Sequence, residues 1–107
     1  MRGTEALINV FLGNRVSQEN DRSQQYCLNT GHRDGVALER ELARITGLNE
    51  GTRVIQQPYV MRIQSVEGNI TLAPYTFTNE DLLADNWMIA EGVVTAAGGQ
   101  SGAAGGD

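Results

Sequence analysis

Lysine is absent from this 107-residue chain, and all eight basic residues are arginine. No phosphate loop of the Gly-x-x-x-x-Gly-Lys-Ser/Thr kind can therefore be present. Cysteine occurs once, as Cys27, so there is no intramolecular disulfide and no need for an oxidising compartment. With one cysteine and one histidine, His32, the chain lacks the Cys/His cluster that a zinc site requires. No apolar run approaches the roughly 20 residues that cross a bilayer, so no membrane partner is expected. The opening Met1-Arg2-Gly3-Thr4 leads into a polar-faced helix and does not read as a secretory signal. Basic charge is also short. A net charge of −5 argues against a nucleic-acid polymer as partner, because counterion release needs a basic face.

What is present suffices for one small domain. Hydrophobic content is 40%, arranged in periodic segments, which argues for folding rather than disorder. A chain of this length buries only about two thirds of its unfolded surface, and oligomerisation is a common remedy for so small a core. The folded domain is expected over 1–92. Residues 93–107 are mostly Gly and Ala and read as a disordered tail, with too little apolar surface to offset ordering entropy. The glycines from Gly98 to Gly106 lack a preceding strand and a following helix, so they do not read as a phosphate cradle.

The chain reads as a succession of short elements. Residues 4–12 form a helix with Ala6, Leu7, Val10 and Phe11 on one face, stopped by Gly13. A short strand at 15–17, a polar loop at 18–23 and a strand at 24–29 follow, with Tyr26 and Leu28 opposite Cys27. Asp34 is expected to cap a helix over 34–46, on which Leu38, Leu42 and Ile45 repeat at helical spacing. Residues 53–66 form the longest strand candidate, with a bend or sheet edge at Pro58. A turn at 67–69 returns the chain through 70–72, and 86–92 closes the sheet. The fold class is α+β: a twisted antiparallel sheet of about five strands with two or three short helices.

The stretch from Pro74 to Trp87 is the most informative. Thr78 and Asp81 nearly match the Ser/Thr-x-x-Glu capping box, and Leu82-Leu83 follow directly. Asp85-Asn86 end the short helix, and Trp87 opens a strand as a core residue. An aromatic between Pro74 and Thr76, followed by Asp-Leu-Leu-Ala-Asp-x-Trp, resembles the signature of small phage proteins known as the second type of Thoeris anti-defence protein. Glu5-Ala6-Leu7 with Gly13-x-x-Val16, and Pro58-Tyr59-Val60-Met61 with the turn at Glu67-Gly68, resemble the family's opening and central blocks. The resemblance covers roughly 4–17 and 56–91. It implies a homotetramer that sequesters nucleotide immune signals in the host cytoplasm. Where the family carries an Arg and then a Trp-Asn-Gly after the first strand, this chain has Gln18 and Asp21, with Arg22 adjacent. Tyr75 stands where the family has its second Trp.

Candidates for catalysis are Ser17, Ser23, Cys27, His32, Asp21, Asp81 and Asp85, but none has a recognisable catalytic spacing. Cys27 reads as a buried, inert thiol and His32 as an exposed turn residue. A binding module needs less: an aromatic platform and a few oriented polar or cationic groups. Tyr75, Phe77, Tyr26 and Tyr59 supply rings, and Arg15, Arg22 and Arg62 supply planar donors for phosphate. Thr76, Thr78 and Asp21 complete the candidate ligand site, with the helix start at Thr78 as a further anion position. The expected function is a non-enzymatic sponge for cyclic or conjugated ADP-ribose signals, with cyclic oligonucleotides as a further class, requiring no cofactor or metal. The alternative is a small phage interaction or assembly protein that keeps the fold without the pocket.

Overall fold

The computed structural model describes residues 1–92 and Val94; the rest of the expected 93–107 tail lies outside the described residues. The fold is α+β. In chain order it comprises α1 (Gly3–Phe11), β1 (Val16–Gln18), β2 (Asp21–Asn29), β3 (His32–Ala37), α2 (Arg40–Thr46), β4 (Arg53–Gln56), β5 (Tyr59–Val66), β6 (Asn69–Pro74), α3 (Asn79–Leu83) and β7 (Trp87–Ile89). Five strands form one sheet in the order β6-β5-β2-β1-β7, and β3 pairs with β4 in a separate two-stranded sheet. The chain divides into two compact units, Asn29–Tyr59 and the remainder.

In the larger unit, Ala6 and Val10 of α1 are buried against Val16, Tyr26, Phe77 and Trp87. Phe11, expected on the same face, is 59% exposed. Its position one residue beyond Val10 rotates it about 100° off the buried stripe. The α1 start is locked onto the C-terminal end of α3. The Gly3 N–H donates to Ala84 O at 2.8 Å. A Cβ on Gly3 would lie 1.7 Å from Asp81 O, so only glycine permits this approach. The polar loop expected at 18–23 is much tighter, because Gln18 already pairs with Asp21 across a two-residue turn. The register then shifts before Val16 meets Tyr26, leaving a bulge over 22–25. β7 returns antiparallel to β1 and pairs Gln18 with Trp87.

The long strand at 53–66 is two strands, broken at Gln57-Pro58 where the ladder loses a donor. β5 and β6 form a hairpin closed by Glu67-Gly68, with φ of 50° and 81°. Positive φ at both central residues is the type I′ pattern that matches strand twist.

The smaller unit departs most from expectation. The helix expected over 34–46 is confined to Arg40–Thr46, its N-cap is Glu39, and residues 32–37 are strand. Gly35, at φ 83°, sits in a bulge between the His32↔Gln56 and Val36↔Val54 pairs, where a helix cannot continue. Arg53 Nη2 donates to the bulge carbonyls of Asp34 and Gly35 at 3.0 and 3.1 Å. Only Leu38 and Ala43 are buried hydrophobics here; Leu42 and Ile45 are exposed. Gly47 closes α2 in the left-handed conformation.

Candidate functional site

The capping box fixes the centre of the site. Asp81 N–H donates to Thr78 Oγ1 at 3.1 Å, and Thr78 N–H donates to Asp81 Oδ2 at 2.8 Å. The same Oδ2 accepts the Tyr75 hydroxyl at 2.6 Å, and the Asp81 carbonyl accepts Trp87 Nε1–H at 2.8 Å. One short helical turn thus orients two aromatic rings, Tyr75 through its side chain and Trp87 through its backbone.

Four rings converge on this turn. Phe77 stacks on Trp87 at 4.9 Å with 19° between planes. Tyr26 meets Tyr75 at 4.8 Å, Trp87 at 5.4 Å and Phe77 at 5.7 Å. Trp87, Phe77 and Tyr26 are buried, whereas Tyr75 is half-buried at the margin of the cluster. Burial, then the Asp81 charge, pushes the Tyr26 phenol up to about 12. Burial and its hydrogen bond to Asp81 raise the Tyr75 phenol as well. Both rings therefore stay neutral donors near pH 7.

Arg62 closes the margin. Its guanidinium carbon lies 5.7 Å from the Tyr75 ring centroid, a cation–π distance. Among the described residues it forms no ion pair, and its buried Nε has no hydrogen-bond partner. This half-buried guanidinium lacks a carboxylate partner among the described residues, although the chain carries a net charge of −5. The two-residue turn held the signal for this pairing. It sets Arg62 opposite Ala73 and lets Tyr75 N–H reach Val60 O at 2.9 Å, so Tyr75 falls beside Arg62.

The other anticipated site residues lie in other surroundings. Arg15 Nη1 donates to Gln25 Oε1 at 2.9 Å and to Gly92 O at 2.7 Å, tying β1 to β2 and the chain beyond β7. Arg22 is exposed, with Nη2 3.8 Å from Met88 Sδ. Asp21 staples the β2 bulge, accepting from Ser23 N–H at 3.0 Å, from the Ser23 hydroxyl, and from Gln24 Nε2 at 2.8 Å. Burial would raise the Asp21 carboxyl, but hydrogen bonds from Ser23 and Gln24 outweigh it and hold the carboxyl below its ordinary value. Thr76 is exposed between β6 and α3. Thr78 has its amide and hydroxyl engaged inside the cap, where the Asp81 carboxylate already occupies the helix start. Of the candidate ligand residues, the structure gathers Tyr75 and Thr78 on Asp81, with Tyr26 and Arg62 against the Tyr75 ring.

Of the catalytic candidates, Ser23 and Asp21 meet within the β2 bulge, where the Ser23 hydroxyl donates to the Asp21 carboxylate. Ser17 and Ser23 are buried, Asp85 is exposed just after α3, and His32 is exposed in the smaller unit. Cys27 is half-buried, and burial raises its thiol. Among the described residues no serine or cysteine hydrogen-bonds a histidine, and no group of three potential metal ligands occurs. No described helix is long and apolar enough to cross a membrane. No protein-family model matches the chain, and no curated protein matches it.

Proposed function

We propose that the protein binds and sequesters a small anionic nucleotide signal without cleaving it, as a self-associating phage anti-defence sponge in the host cytoplasm. The observation that carries this reading is the unpaired Arg62 guanidinium beside Tyr75. A nucleotide combines the two features that this margin fits, a flat base and a phosphate. Arg62 supplies planar donors to the phosphate, and Tyr75 supplies a ring edge and face held rigid by Asp81. The resemblance of the Pro74–Trp87 segment to the anti-defence family supports the ligand class, with cyclic and conjugated ADP-ribose first and cyclic oligonucleotides second. Sequestration works by mass action: an abundant binder lowers free signal below the level its effector requires.

A second reading, an interaction or assembly protein without a pocket, is favoured by the exposed Leu42, Ile45 and Leu48 in the smaller unit. Mass spectrometry of natively purified protein after heat denaturation separates the two. Release of a stoichiometric nucleotide supports the sponge. Absence of any released nucleotide, together with no binding to ADP-ribose derivatives or cyclic dinucleotides, supports the second reading.

A further inference from the structure

The Tyr75 ring carries groups of opposite hydrogen-bonding character. Over the ring lies the Arg62 guanidinium, which can only donate. At the hydroxyl tip stands the Asp81 carboxylate, which can only accept. The fold uses just one side-chain oxygen of Asp81: Oδ2 takes the Tyr75 hydroxyl at 2.6 Å and the Thr78 N–H at 2.8 Å. Oδ1 has no partner among the described residues and is not sealed from solvent. The neighbouring phenols cannot supply the missing donor. The Tyr75 proton is already committed to Oδ2. The Tyr26 hydroxyl lies 3.1 Å from Gln24 Oε1, and the direction of that bond is set one step away. Gln24 Nε2 donates to the Asp21 carboxylate at 2.8 Å, so Oε1 is the end that meets Tyr26, and the phenol must donate to it. With its proton committed, the half-buried Tyr75 oxygen presents only lone pairs beside Asp81 Oδ1.

We infer that Asp81 Oδ1, with the Tyr75 oxygen beside it, receives a hydrogen-bond donor from the nucleoside end of the ligand while Arg62 holds the phosphate, so that the site takes a nucleotide in one orientation. Burial acts most strongly on the Tyr75 phenol, but the Asp81 charge also raises it and the Arg62 charge lowers it, so both charges reach the same group. A phosphate is drawn to Arg62 and repelled by Asp81, which fixes the sense in which the ligand enters. The donor is a ribose hydroxyl or the exocyclic amine of the base, the two N–H or O–H sources that a nucleoside carries. A bare polyphosphate offers neither. A ligand that covers Asp81 without a donor leaves a charged acceptor unpaired, which is the strongest ground on which a site rejects an analogue. Asp81 thereby becomes the specificity-determining residue of the margin. This inference rests on the proposed nucleotide reading and adds the polarity that the ligand must have.

Calorimetry with ADP, 2′,3′-dideoxy-ADP, purine riboside 5′-diphosphate and inorganic pyrophosphate tests it. Wild type should bind ADP about tenfold or more tightly than the analogue that lacks the donor read by Asp81. Loss with the dideoxy analogue identifies a ribose hydroxyl as that donor, and loss with purine riboside diphosphate identifies the base amine. Asp81→Asn keeps an amide oxygen for Thr78 N–H and the Tyr75 hydroxyl and places an NH₂ where Oδ1 stood. In that variant the preference for ADP over the analogue should vanish, while pyrophosphate binds at least as well as to wild type. Equal affinity of wild type for ADP and both analogues, or the same preference in Asp81→Asn, overturns the inference and leaves the nucleotide reading standing. Should Asp81→Asn fail to fold by circular dichroism, the analogue series on wild type decides alone. Binding of none of the probes by wild type also overturns the inference, and nucleotide release on heat denaturation judges the reading separately.

Discussion

The two compact units are built on opposite principles. The larger one concentrates four interlocked aromatic rings on a capped turn, with Trp87 only 2% exposed. The smaller one, Asn29–Tyr59, holds no buried aromatic and relies on Leu38, Ala43, backbone pairing and a bulge clamped by Arg53. Charge divides the same way. The smaller unit balances Arg33, Arg40, Arg44 and Arg53 against Asp34, Glu39, Glu41 and Glu50, with surface pairs Arg40–Glu50 and Arg44–Glu41. The larger unit carries the acidic excess, and inside that excess Arg62 forms no ion pair among the described residues. A cation left unpaired where carboxylates are plentiful supports the proposed binding margin, whereas exposed ion pairs contribute little to stability. The difference teaches where to look for stability and where to look for ligand.

The largest expected effect is on the aromatic unit. Trp87→Ala should cost about 3–5 kcal/mol, because it empties the centre of the ring cluster and removes the hydrogen bond to Asp81 O. Chemical denaturation monitored by circular dichroism reads it directly. A fully stable variant would place Trp87 outside the core and dissolve the contrast between the units.

Leu38→Ala should cost about 2 kcal/mol, and mainly within the smaller unit. Amide hydrogen exchange should accelerate in β3, α2 and β4 while protection in β1 and β7 holds. Equal loss of protection in both units would mean that they unfold together.

Thr78→Ala comes next, at about 1 kcal/mol, since it removes the cap acceptor for Asp81 N–H. The thermal midpoint should fall modestly, and Tyr75 should lose order because its anchor, Asp81, loosens. An unchanged midpoint would mean that the ring cluster holds α3 without the cap.

Smallest at neutral pH is the tyrosine contribution, which emerges only in alkali. The folded Tyr26 phenol is raised to about 12 from an ordinary value near 10. The stability linked to its neutral form is complete below pH 10 and is lost as pH rises from 10 through 12. Melting temperature should fall across that window, and Tyr26→Phe should flatten the fall. Identical alkaline profiles for both proteins would remove Tyr26 from the linkage.

Local signals were legible in the sequence and distant ones only partly. The Thr78–Asp81 cap, the core position of Trp87 and the turn at Glu67-Gly68 each depend on residues a few positions apart. Residues 34–37 misled because Leu38, Leu42 and Ile45 keep helical spacing, while pairing with β4 overrides it and the Gly35 bulge interrupts it. Tyr75 was legible as a candidate ring between Pro74 and Thr76, but its lock onto Asp81 and its packing on Tyr26 depend on tertiary approach. Truncating it would therefore disturb the core along with any ligand contact. Arg62 is the cleaner probe, because its guanidinium lies over the ring of Tyr75 without a hydrogen bond or ion pair among the described residues.

Calorimetric titration of wild type and Arg62→Met with ADP-ribose derivatives and cyclic dinucleotides tests the central claim most directly. Methionine keeps most of the apolar stem and removes the charge. A charged hydrogen bond contributes about 1.5–3 kcal/mol, so the variant should bind roughly 10- to 150-fold more weakly while its thermal midpoint holds. Equal affinity in both proteins, or no binding of any tested nucleotide by wild type, would contradict the assignment of Arg62 and Tyr75 as the nucleotide-holding margin.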